Sequence, residues 1–180
     1  MTRPAGRGAI AAEPIQTSRL DLRPLRAEHA AEMTTALTDP GLHAFIGGAP
    51  LTLAENRARF ERMLAGSPDP AVSWCNWVIE LRDAGCLTGT VQATISAEGP
   101  TAEVAWVVGT PWQGRGIATE AARALVAWLG RQRVATVIAH IHPEHAASAA
   151  VAAAAGLHPT GQWAEGEVRW QRSMAAGLAG

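Results

Sequence analysis

The run Gln113-Gly114-Arg115-Gly116 stands between a strand-like segment and a helix-like one, and this junction restricts the chain more than any other feature. Before it, Ala102 to Val108 reads as a sheet strand. After it, Ile117, Ala121, Ala124, Leu125 and Trp128 recur at helical spacing within Ile117 to Gly130. A helix start leaves about four amides unpaired, and together with the helix dipole they favour a negative group placed on them. With no side chain at Gly114 or Gly116, the backbone from Gly114 to Ala118 can wrap a pyrophosphate, and Arg115 adds charge at the rim. A purely structural turn is the other reading of the same residues.

Other phosphate-binding patterns fit less well. The GxxxxGK[ST] loop is absent and the chain has no lysine, which argues against nucleotide hydrolysis of that type. Gly114 to Thr119 half-matches the GxGxxG dinucleotide fingerprint, but Thr119 takes the third glycine's place. The acidic residue expected about 20 positions later is missing too, since that region holds Arg131, Arg133 and Val134. An antiparallel hairpin precedes the turn, where a Rossmann unit wants parallel strands. That reading stays open as an alternative.

Composition narrows the partners. The 180 residues suit one domain with its own core. All 15 basic residues are arginine, and against 16 acids they leave a net charge of -1, so no field favours nucleic acid or an anionic membrane. The longest apolar stretch, around Ala146 to Ala155, is about half the roughly 20 residues of a membrane span. Cys75 and Cys86 are too few for a disulfide framework and no secretory leader pattern opens the chain, so a reducing cytoplasm is expected. A loose leader is expected over residues 1–13, one domain over 14–174, and a loose tail over 175–180.

Within the domain, Arg19 to Arg23 alternates as a first strand ending near Pro24. A helix follows from about Ala27 to Leu37, broken by Asp39-Pro40-Gly41. Thr52 and Glu55 form a capping pattern for a second helix that ends at Gly66. Trp77 to Leu81 and Leu87 to Ile95 make a hairpin around Arg82-Asp83-Ala84-Gly85. Ala135 to Ile141 is a buried strand, Glu144 to Ala155 a helix closed by Gly156, and Thr160 to Ser173 a hairpin turning at Glu165-Gly166.

Several of these pieces together resemble a known family. Glu103-Val104-Ala105-Trp106-Val107-Val108 followed by Gln113-Gly114-Arg115-Gly116-Ile117-Ala118 is similar to the acetyl-CoA signature Q/R-x-x-G-x-G/A of GNAT N-acetyltransferases. Thr17 to Leu25, Gly116 to Ala121 and His142 to Ser148 are similar to its RimJ/RimL-like branch, which acetylates ribosomal protein amino termini or other amines. The resemblance covers about Thr17 to Met174. It implies a single α/β (α+β) domain: a mixed, mostly antiparallel sheet, flanked by helices and splayed between the strand before the glycine turn and the strand after its helix. Acetyl-CoA is the implied acetyl donor, with pantetheine in the gap. Trp106, Val107 and Val108 would offer backbone groups to it, Gln113, Gly114, Arg115, Gly116, Ile117 and Ala118 would hold the pyrophosphate, and Thr119 and His145 would add contacts. Where the family usually has asparagine, this chain has His145.

The resemblance implies acetyl transfer to a primary amine, a protein N-terminal α-amine or a small-molecule amine, by direct attack in a ternary complex. An α-amine near pKa 8 costs roughly 1.4 kcal/mol to neutralise at pH 7, and a lysine-like amine near 10.4 roughly 4.6 kcal/mol. Glu103 is the candidate base, directly or through water, and is read equally as a solvated strand charge. The family's tyrosine acid has no counterpart, because the chain contains no tyrosine. Ser148 occupies the place of the RimL-like serine and is the substitute, with a local bond to a preceding carbonyl as its bland reading. His140, His142 and His145 form an HxHxxH run, but a third ligand would have to come from the helix start and no cysteine is near, so no metal is expected. Trp74, Trp77, Trp163 and Trp170 suit core packing more than an acceptor pocket. A non-catalytic acyl-CoA-binding protein is the rival function. The acceptor and the oligomeric state, a homodimer included, are not legible.

Overall fold

In the computed structural model residues 9–174 are described, so most of the expected leader and the whole tail at 175–180 lie outside the described residues. Leu20 and Leu22 alternate into the core from β2 (Leu20–Pro24), which pairs with the two-residue β1 (Ile15–Gln16) and with β3 (Val72–Leu81). A 3-10 turn at Ala27–His29 leads into α1 (Ala30–Ala36). After the break at Pro40 comes a short α2 (His43–Ile46), which the sequence pattern does not announce. The helix α3 (Leu53–Ala65) begins on the expected capping box: Glu55 N donates to Thr52 Oγ1 at 3.2 Å, and Thr52 N to Glu55 Oε2 at 2.8 Å.

The hairpin of β3 and β4 (Cys86–Ser96) and the strand β5 (Thr101–Val108) extend the sheet in antiparallel pairs. There follow α4 (Ile117–Arg131), β6 (Thr136–Ile141), α5 (Ala146–Ala154), β7 (His158–Ala164) and β8 (Glu167–Ser173), with Glu165 and Gly166 turning the last hairpin at positive φ. The eight strands run in the order β1-β2-β3-β4-β5-β6-β8-β7. The mixed, mostly antiparallel sheet flanked by helices is therefore present.

Among the described residues one pairing is parallel, and it fixes the site. β5 and β6 meet only from Thr101 opposite Thr136 to Glu103 opposite Ile138. Beyond that point β5 stays on β4 as far as Val108, while β6 stays on β8 as far as Ile141. The sheet forks there. One face packs on α4, where Trp77 and Trp128 meet edge to face at 5.0 Å. The other face is covered by α1 and α3, around Met33, Phe60 and Val78. Asn56 is buried and ties α3 to α1, donating to Ala30 O at 3.2 Å and Thr34 Oγ1 at 3.0 Å.

Residues 10–13 are not loose, which moves the start of the packed chain back from residue 14. Ile10 N donates to Ser73 Oγ at 3.0 Å, and Glu13 accepts both core indoles, Trp77 on its carbonyl at 2.7 Å and Trp128 on its carboxylate at 2.9 Å. Two buried indole N–H groups need acceptors, and this short segment supplies them. Among the described residues no helix is long and apolar enough to cross a membrane.

Cys86 lies opposite Leu81, as the hairpin register requires, and Cys75 lies opposite Ala93. The step from residue 75 to 81 spans about 20 Å of strand, far beyond the roughly 7 Å that a disulfide tolerates. Burial pushes the Cys75 thiol up to about 11, whereas Cys86 is half-buried. A thiol reagent at pH 8 should titrate Cys86 in the native protein and both cysteines in denaturant without reductant. No reactive thiol in denaturant would contradict the register.

Candidate active site

The glycine turn is built as a row of free donors. Gly114 and Gly116 take φ of 73° and 74°, left-handed values that would cost another residue about 1–2 kcal/mol. The first amide here to find a backbone acceptor in α4 is that of Glu120, on Gly116 O at 3.0 Å. Among the described residues, the amides of 114–119 donate to no protein acceptor. A Cβ on Gly114 would meet nothing within 4 Å, while one on Gly116 would lie 3.5 Å from an Arg19 guanidinium nitrogen. Open approach is therefore a property of Gly114, and backbone conformation is the requirement at Gly116. The Gln113 side chain turns back on the strand, donating to Val108 O at 3.0 Å.

The turn is held from the other side by a clamp that the sequence reading passes over. Glu120 accepts from Thr17 Oγ1 at 2.6 Å, Ser18 Oγ at 3.2 Å, Arg19 N at 3.0 Å and Arg19 Nε at 2.7 Å. Arg19 then donates through a terminal nitrogen to Arg115 O at 2.9 Å. Burial alone would raise the Glu120 carboxyl, but the bonds from Thr17 and Arg19, with the Arg19 charge, hold it at about 2. Thr119 lines this same groove beside Arg19 and Glu120. Its side chain thus faces the clamp.

The fork opens into a cleft of about 660 Å³ between the sheet and the α1–α3 side. Glu103, Trp106 and Val107 line it from β5, His140 and Ile141 from β6, and His145 and Ser148 from the start of α5. Val108 is instead buried, with its carbonyl engaged by Gln113. Glu103 is half-exposed, and its Oε1 lies 2.8 Å from His140 Nδ1. Ser148 Oγ lies 3.5 Å from His145 Nε2, so its nearest side-chain partner is an imidazole and not a preceding carbonyl. Burial, with His142 beside it, lowers the His145 pKa and favours the neutral ring. That ring stacks on Phe45 of α2 at 4.3 Å between centroids.

The three histidines of the HxHxxH run are thus occupied separately: His140 on Glu103, His142 accepting Glu144 N at 3.2 Å, and His145 on Phe45. None of Trp74, Trp77, Trp163 and Trp170 lines the cleft. Trp77 is fully buried and Trp170 packs against the core, but Trp74 and Trp163 are 39% and 61% exposed, contrary to the packing expected for them. Sequence reasoning missed Glu120, Phe45, Arg59, Arg62 and Glu167, the last three lining the cleft from α3 and β8. For Glu120 a signal existed, in the Thr17-Ser18-Arg19 and Gly116 to Ala121 segments that meet here.

A forked mixed sheet with free helix-start amides at the end of one prong defines a class, and the sequence comparison agrees. The Acetyltransferase (GNAT) domain family matches residues 19–158, and the chain belongs to that family. None of the curated proteins matches the chain. The fold is similar to that of a GNAT-family acetyltransferase from Bacillus anthracis, at 18% identity, 90% coverage of this chain, 99% of that one, and a TM-score of 0.75. It is similar to RimL, a ribosomal L7/L12 alpha-N-protein acetyltransferase in complex with coenzyme A, at 16% identity, 91% and 99% coverage and a TM-score of 0.77. A spermidine N-acetyltransferase from Vibrio cholerae, in complex with CoA and spermine, aligns at 16% identity, 89% and 98% coverage and a TM-score of 0.73. At these identities the likeness is one of fold.

The clamp has a pH signature. A carboxylate held below its ordinary value contributes stability that is present above about 4.5 and is lost as pH falls towards about 2. Arg19 is 43% exposed, which keeps the contribution to the lower part of the usual range for charged hydrogen bonds, about 1–2 kcal/mol. Glu120→Gln should lower stability by that amount at pH 7 in urea unfolding, with the gap from the parent narrowing between pH 4.5 and 2. A pH-independent gap would mean that the carboxylate's charge does not matter.

Proposed function

We propose that this protein transfers the acetyl group of acetyl-CoA to a primary amine, in the manner of the RimJ/RimL-like branch, by direct attack within a ternary complex. The observation that carries the reading is the conjunction of the fork with the row of unpartnered amides at 114–119. The two answer the two chemically distinct parts of coenzyme A. A pyrophosphate takes the amides of Gly114 to Thr119, with Arg115 at the rim, since such donors and the helix dipole favour an anion. Pantetheine is an amide-bearing arm, and among the described residues the backbone of Trp106 and Val107 beyond the last β5–β6 pair has no strand partner on that side. Gln113 acts on the turn's shape, through Val108.

This seats the thioester near the narrow end of the fork, within reach of Ser148. The names of the similar structures support the same chemistry: RimL is described with coenzyme A, and the spermidine enzyme with CoA and spermine. The acceptor enters from the α1–α3 side, past Arg59 and Arg62 on the cleft wall. Glu103 and Glu167 on the same lining balance those two guanidiniums, so the cleft carries both a repelling and an attracting pair for a cationic acceptor.

Departure of the thiolate needs little help. If the CoA thiol resembles cysteine, with pKa about 8.5, expelling it at pH 7 costs about 2 kcal/mol. One hydrogen bond from Ser148 to the charged sulfur, contributing about 1.5 to 3 kcal/mol, covers that. The Ser148 hydroxyl hydrogen is left for the sulfur only if His145 Nε2, 3.5 Å away, carries the proton and donates to Ser148 Oγ.

Free-thiol release from acetyl-CoA with a panel of peptide and small amines tests the function. Turnover with at least one amine, and a roughly 10- to 100-fold lower kcat in Ser148→Ala at unchanged acetyl-CoA affinity, is expected. Acetyl-CoA binding without thiol release on any amine would favour the acyl-CoA-binding protein instead. An alanine variant with full kcat would remove Ser148 from the chemistry.

A further inference from the structure

We infer that His140 is the base that takes the proton of the acceptor amine, and that Glu103 is the positioning residue that fixes its imidazole. The inference rests on the acetyl-transfer reading and changes the role of the carboxylate within it. Glu103 sits at the last paired step of β5 and β6, opposite Ile138, and His140 lies two residues further along β6, just past the point where the fork opens. Glu103 Oε1 is 2.8 Å from His140 Nδ1. An ionised carboxylate only accepts, so the neutral imidazole must carry its proton on Nδ1, and the lone pair is left on Nε2.

Among the described residues, Nε2 of His140 has no hydrogen-bond partner, and it is absent from the side-chain nitrogens that are buried and unpartnered, which include those of His29 and His43. Arg169, directly opposite on β8, gives a terminal nitrogen to Gln171 Oε1 at 3.0 Å and is not bonded to Glu103. His140 lines the same cleft as Ser148, so acceptor and donor chemistry face one space. The two pairs, Glu103 with His140 and Ser148 with His145, flank the gap from different elements.

An imidazole is also the better base for the task. Imidazole is the side chain most often placed for proton transfer near neutral pH, and here its unbonded nitrogen belongs to a residue that lines the cleft. The ammonium form of the acceptor gives one proton to Nε2. Its nitrogen then attacks the thioester carbon, the C–N bond forms, and the tetrahedral adduct collapses with the electron pair of the C–S bond on sulfur. The second N–H proton passes to the thiolate past Ser148, and the imidazolium releases its proton to water.

Two measurements test this, one without turnover. In 15N-histidine-labelled protein, His140 should show the Nδ1–H tautomer, and Glu103→Gln should shift the population towards Nε2–H, since an amide oxygen holds the proton less firmly than a carboxylate. In the amine assay, His140→Ala should lose roughly 100-fold or more in kcat and regain a substantial part with added imidazole, while Glu103→Gln should lose less. Acetyl-CoA thermal shifts confirm that each variant still folds. A near-normal His140→Gln beside an inactive Glu103→Gln would make the carboxylate the base and overturn the proposal, as would an Nε2–H tautomer in the parent. Absence of turnover by the parent on every amine would count against the transferase reading itself, whereas the tautomer would still report on the pair.

Discussion

The limited pairing between β5 and β6 is the constraint on which the rest depends. Each strand is committed elsewhere: β5 to β4 along its whole length, β6 to β8 out to Ile141. Three shared positions then leave two prongs that cannot close on each other. The backbone groups facing the gap need partners from water or a ligand, because unpaired buried amides are costly. An amide-bearing arm is the kind of ligand that answers them. The same divergence puts Glu103 and His140 at the vertex and sends β5 outward to the glycine turn.

Holding the turn open is a separate problem, solved by long-range bonds. Gln113 ties it to the end of β5, and Arg19, just before β2, bonds the Arg115 carbonyl directly while Glu120 holds the same guanidinium. A row of free amides is intrinsically unsatisfied, so without such ties the segment would find its own hydrogen bonds. Here the carboxylate of Glu120 is spent on side chains and on the amide of Arg19, and the donors of the turn are left for an anion.

Local signals were legible and long-range ones were not. The Thr52–Glu55 box, the Arg82 to Gly85 turn and the Glu165-Gly166 turn are each written in a few adjacent residues, and each stands where the sequence puts it. The family resemblance carried the fork, which no local period encodes. Glu103 was legible as a cleft residue, but its partner His140 lies 37 positions away, and the sequence shows it only as part of an HxHxxH run for which no metal is expected. The short α2 was invisible for a similar reason: Phe45 gains its role from ring contacts with His142 and His145, about a hundred residues away.

The central claim is that one ligand spans the fork and the turn. Acetyl-CoA titrated into 15N-labelled protein measures this directly through backbone amide shifts. The largest changes should fall on the amides of 114–119, with a second set along 104–108 of β5 and the start of α5. Perturbation confined to other surfaces, such as the groove between Arg123 and Arg172, or a spectrum that does not move at saturating acetyl-CoA, would contradict the account.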